Sequence, residues 1–187
     1  MCGACGGAGP DWSLPFVSGV QRRSSIAKFL TAICRGVAVG TMSQGWTVRT
    51  ATGGWSVART LDELVEATAR RAVCTSWPDV QAVVRARSSA DGGAAKGGHA
   101  RPASVRPFRN EDDGRLAVLG AVAEPVLPEG DLHLRLTGFV LGVRAFERGP
   151  VAIDILDGGS SRRLVGAEGR VLGLVGQSLT AHALLRT

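Results

Sequence analysis

The sequence predicts an α+β protein: a basic half built as helix, β-hairpin and helix, followed by a β-rich small barrel or sandwich. Three observations carry this. Apolar residues between positions 26 and 72 recur at three- and four-residue steps on either side of two alternating segments. In the second half, Leu132, Leu134 and Leu136, and then Val151, Ile153 and Ile155, repeat every second residue. Charge divides along the same line: residues 20–110 hold 14 basic and 5 acidic groups, residues 111–187 hold 8 basic and 10 acidic.

Taken in order, residues 1–19 are rich in glycine and proline, lack period, and read as a flexible tail bearing Cys2 and Cys5. Residues 20–88 read as the basic domain. There Ser24 and Ser25 precede a stripe of Ile26, Phe29, Leu30, Ile33, Cys34 and Val37, which predicts a helix over about residues 25–36. Gly45–Thr50 and Trp55–Arg59 alternate on either side of Gly53-Gly54, which predicts a hairpin with Trp46, Val48, Trp55 and Val57 facing the core. Thr60 and Glu63 have capping-box spacing, and Leu61, Leu64, Val65, Thr68 and Ala72 then line one helical face, with Arg70 and Arg71 at its negative end. A third helix is expected over 79–87, where Val80, Val83 and Val84 share a face.

Residues 89–114, with paired glycines, two prolines and scattered charge, read as a disordered linker. The remainder, 115–187, predicts four to six short strands, drawn from 115–123, 132–136, 139–146, 151–155 and 170–175, with Ser178–Leu185 as a closing helix.

The chain has 187 residues with a net charge of +6 and only two lysines among 22 basic side chains. Such a balance suits an anionic partner, while a codon preference for arginine gives the same composition without any binding role. The apolar stretch 26–39 is broken by Lys28 and Arg35 and is shorter than the roughly 20 residues a bilayer requires, so no membrane partner is expected. The opening shows no cationic leader followed by an apolar run, and a cytoplasmic location is expected.

Cys2-Gly3-Ala4-Cys5 is half of a zinc site, since two thiolates across a glycine-bearing turn can grip one ion. Cys74 and Cys34 are candidates to complete it, with His99, His133 and His182 the other ligand types on offer, although Cys34 lies within an apolar stripe and reads first as a small core residue. A redox use of the CxxC pair needs a strand and a helix amino end beside it, which this terminus lacks, and two uninvolved thiols is the third reading. Arg22, Arg23, Lys28, Arg35 and Arg49 are candidate phosphate contacts, with Lys28 and Arg35 seven residues apart on the predicted helix. Trp46 and Trp55 can stack on bases in principle, but their alternation with polar neighbours favours core positions. Nucleophile-elbow, phosphate-loop, zincin and dinucleotide signatures are absent. An alternative enzymatic site would centre on Asp154, Asp157 and His133.

The opening Met1-Cys2-Gly3-Ala4-Cys5-Gly6, in a short arginine-rich chain, resembles a group of small actinobacterial proteins linked to zinc status and ribosome hibernation. The likeness covers these six residues and nothing in 101–187. It implies zinc held at Cys2 and Cys5 as a report of metal supply, and a basic domain that engages the ribosome or a hibernation-promoting protein. The expected function is therefore a non-enzymatic, zinc-modulated adaptor associating with the ribosome, ribosomal RNA or that protein. The alternatives are an interaction module that uses neither metal nor nucleic acid, and a small enzyme.

Overall fold

The computed structural model describes residues 11–90, residue 127, and residues 131–157 and 160–177. Cys2, Cys5, His99, His182, most of the expected linker, the expected strand at 115–123 and the expected closing helix fall outside them. The class is α+β.

Residues 11–19, expected as tail, instead form a docked turn. The Asp11 carboxylate accepts from the Ser13 amide at 2.9 Å and the Ser13 hydroxyl at 2.7 Å, which starts the one-turn helix α1 (Leu14–Val17). Phe16 and Val17 are buried, and the Trp12 indole donates to Asp62 at 2.7 Å. Helix α2 (Val20–Ile33) starts five residues earlier than expected and stops three earlier. Ile26, Phe29, Leu30 and Ile33 form its buried stripe. It stops because the chain turns extended at Cys34 and joins the segment 71–73: the Arg35 amide donates to the Arg71 carbonyl at 2.8 Å and the Val73 amide to the Ile33 carbonyl at 2.9 Å.

The hairpin is present, as β2 (Gly45–Thr50) and β3 (Trp55–Ala58), and a further strand, β1 (Val37–Met42), completes an antiparallel sheet ordered β1-β2-β3. Gly45 is required where it stands: its φ is +115°, and a Cβ there would lie 2.2 Å from the Ala58 carbonyl oxygen.

The core face of β3 differs from expectation. Trp46 pairs with Ala58, Val48 with Ser56 and Arg49 with Trp55. Directly opposed residues share a face, so Ala58 and Ser56 lie on the side of Trp46 and Val48, while Trp55 and Val57 lie on the other. Trp46 and Val48 are buried, whereas Trp55 is 65% exposed and Val57 39%. Five residues, 50–54, separate the innermost pair; with four the phase would have matched the expectation.

Helix α3 (Leu61–Ala69) follows its capping box: Thr60 Oγ1 accepts from the Glu63 amide at 3.1 Å, and the Glu63 carboxylate reaches back to the amide of Arg59 at 2.7 Å. Leu61, Leu64, Val65 and Thr68 are buried as expected. Helix α4 (Trp77–Ala90) is longer than expected at both ends. Its start is tied by Asp79, whose Oδ2 accepts from the Thr75 and Ser76 amides at 3.0 and 3.1 Å.

The expected strands at 132–136 and 139–146 are one helix, α5 (Leu132–Ala145). The alternating leucines run into an unbroken apolar stretch from Phe139 to Val143, which satisfies either period, and packing decides in favour of the helix. Residues from Leu134 to Val143, apart from Arg135, are buried, and α5 shares one continuous core with α2, α3 and α4. Two glycines admit α4: a Cβ at Gly138 would sit 2.9 Å from Val80 Cγ1, and one at Gly142 2.4 Å from Trp77 Cζ3. Trp77 stacks on Phe139 and meets Phe146 edge-on, while its indole donates to Glu147 at 2.9 Å. Arg144 pairs with Glu66 and Asp62, joining α5 to α3.

Strands β4 (Val151–Asp157), β5 (Ser160–Ala167) and β6 (Arg170–Gln177) form an antiparallel meander on α5, not a closed barrel or a two-sheet sandwich among the described residues. Glu168 and Gly169, both at positive φ, make the two-residue turn between β5 and β6.

Candidate functional site

Ser24, Lys28 and Thr31 follow one another at four- and three-residue steps and form a stripe of α2, half-buried at Ser24 and exposed at Lys28 and Thr31, beside the edge of β1 that faces away from β2. Thr31 Oγ1 accepts from the Val39 amide at 3.0 Å, so that amide points away from β2. By the two-residue alternation of an antiparallel ladder, the Thr41 amide points the same way. Arg87, in the last turn of α4, closes the other side. The result is an open cleft of about 470 Å³ lined by Ser24, Lys28, Thr31, Gly40, Thr41 and Arg87, together with Ala27, Ala32 and Val39. Its charged side chains are both cationic, and neither has an ion-pair partner among the described residues. An ammonium, a guanidinium and three hydroxyls facing one space favour an anion with several acceptor oxygens.

The cleft adjoins the outer face of the β1-β2-β3 sheet through Gly40. Ala38, Arg49 and Trp55 stand side by side across the three strands on that face, and Gly40, Thr47 and Val57 form the next row. Gly40 is small because a Cβ there would meet Thr47 Oγ1 at 2.7 Å.

The five basic candidates do not make one patch. Lys28 enters the cleft and Arg49 lies on the outer sheet face. The Arg22 guanidinium instead donates to the carbonyls of Pro15 and Phe16, both at 3.3 Å, which satisfies the end of α1. Arg23 is half-buried, and its carbonyl accepts from the Trp46 indole at 3.0 Å. Arg35 is exposed but lies beyond the end of α2, so its seven-residue spacing from Lys28 is not a helical one. Arg87, which the sequence does not single out, and Trp55, which the sequence offers for base stacking but assigns to the core, complete the surface. Trp55 points outward because the register leaves five residues between Arg49 and Trp55, where the arms read from sequence leave four.

Cys34 and Cys74 are free thiols, both buried. Burial, against the lowering effect of a hydrogen bond with Thr68 and with a smaller push from nearby Cys74, raises the Cys34 thiol to about 12. Burial also raises Cys74. Both therefore favour the protonated form at neutral pH, in keeping with the core reading of Cys34. Among the described residues no three His, Cys, Asp or Glu side chains converge. Asp154 pairs across the ladder with Arg163 at 3.4 Å; burial pushes its carboxyl above the ordinary range, against the lowering effect of Arg135. His133 lies on α5 rather than on a strand, and Asp157 ends β4.

No protein-family model matches the chain, and no curated protein or solved structure is significantly similar to it.

Proposed function

We propose that the chain is a non-enzymatic adaptor that associates with ribosomal RNA. The single observation supporting this is the meeting of Lys28 and Arg87, from two different helices, in a cleft with no carboxylate among its described lining residues. A ribose-phosphate backbone supplies the repeated anionic oxygens that such a cleft can hold, through a point charge from lysine and a forked guanidinium from arginine. Zinc bound at Cys2 and Cys5 modulates this association, and a ribosome-bound hibernation-promoting protein is the further partner that the resemblance adds. The reading places the protein in the cytoplasm. No helix among the described residues is long and apolar enough to cross a membrane.

The test is fluorescence anisotropy with ribosomal RNA fragments across a salt series. Each lost phosphate contact lowers the log-log salt slope by about one, so Lys28→Ala with Arg87→Ala is expected to reduce it by about two. A wild-type affinity that does not respond to salt overturns the reading. Zinc content measured on the untagged protein and on Cys2→Ser with Cys5→Ser tests the metal: equal stoichiometry removes it.

A further inference from the structure

We infer that the outer face of the β1-β2-β3 sheet is a stacking platform for unpaired bases, centred on Trp55, which makes the RNA partner a single-stranded one. The inference rests on the reading of the neighbouring cleft as a phosphate site and names the kind of RNA it takes.

Trp55 is 65% exposed, and no other ring or guanidinium covers its indole among the described residues. An exposed tryptophan at an antiparallel cross-strand position has its orientation set by the pleat rather than by a mobile loop. Directly opposite stands Arg49, also exposed and with no ion-pair partner among the described residues. At such a pair the two Cβ atoms lie about 5 Å apart, so an indole able to stack on a base and a guanidinium able to meet its phosphate are offered together. The rest of the face is low and uncharged. Ala38 and Gly40 leave the β1 side open, Thr47 and Val57 form the next row, Met42 lies one row further on β1, and none of these residues is a carboxylate.

Charge decides the occupant. A second copy laid face to face would set two faces, each bearing Arg49 and no carboxylate among the described residues, against one another, whereas a nucleic-acid strand brings the missing negative charge. Gly40 belongs both to this face and to the lining of the cleft, so one strand can cross the sheet and place its backbone against Lys28 and Arg87. A duplex keeps its bases inside the helix and offers nothing for Trp55 to stack on.

The experiment measures binding of the full chain to a short fluorescein-labelled oligouridylate and to an RNA duplex of equal length. Trp55→Ala is expected to weaken oligouridylate binding by about 5- to 150-fold, the loss typical of one stacked base, with the duplex unaffected and Trp55→Phe closer to wild type. Circular dichroism verifies the fold of each variant. Independently, oligouridylate should quench wild-type tryptophan emission, and Trp55→Phe should abolish that quenching. Salt-dependent oligouridylate binding that ignores Trp55, or an equal loss for strand and duplex, overturns the platform and leaves the polyanion reading standing. Failure of the wild type to bind either RNA overturns both. Binding of polyglutamate with the same dependence on Trp55 gives the face to an acidic peptide and overturns the assignment.

Discussion

The two sheets place an arginine at the same kind of position and use it differently. In the first, Arg49 stands across the ladder from an exposed tryptophan, with no acid on its face. In the second, Arg163 stands across from Asp154 and pairs with it. The second sheet also buries residues of both phases, with Val151, Ile153 and Ile155 on the face that joins the core shared with α5 and Ala152 and Val165 on the other. Gly166 lets Val143 approach: a Cβ there would meet Val143 Cγ2 at 2.6 Å. One sheet buries apolar residues on both faces. The other packs one face and leaves a cationic, aromatic face open, so the charge and the area available for a partner lie on β1-β2-β3 and the adjoining cleft.

The largest expected effect breaks the packed side of this comparison. Phe139→Ala removes a fully buried ring from α5 and should lower stability by about 3–5 kcal/mol in denaturant unfolding, whereas the exposed Trp55→Ala should cost far less. Gly142→Ala drives a methyl group into the Trp77 ring and should cost about 1–3 kcal/mol, visible as a lower melting temperature. Thr60→Ala removes the hydroxyl that holds the Glu63 amide and should cost about 1 kcal/mol by the same measurement.

The two arginines then test the contrast directly. Arg163→Ala should destabilise by about 1 kcal/mol at most, through the lost pair and the lost packing of its stem, and Arg49→Ala should stay within about 0.5 kcal/mol of wild type while weakening RNA binding. The smallest effect is a pH dependence. Hydrogen bonds from the Thr75 amide and from Ser76 hold the Asp79 carboxyl below its ordinary value of 3.8. A depressed native value means that the stabilisation is present above that pH and is lost as pH falls through the native one. The stability difference between wild type and Asp79→Ala should therefore narrow on acidification below 3.8.

What neighbouring residues settle among themselves was legible along the chain. Thr60 and Glu63 cap α3 because their hydrogen bonds span only a few residues, and the stripe from Leu61 to Thr68 needs only the helical period. The arms of the hairpin were legible for the same reason. Tertiary structure decided the rest: which face of β3 looks inward, whether the apolar run from Phe139 to Val143 coils or extends, and whether Arg87 meets Lys28. A one-residue change in a connection inverts every side chain of a strand, a continuous apolar stretch fits two periods equally well, and charges 59 positions apart meet only once two helices have packed. Each of these outcomes depends on contacts between distant parts of the chain, and no local pattern encodes them.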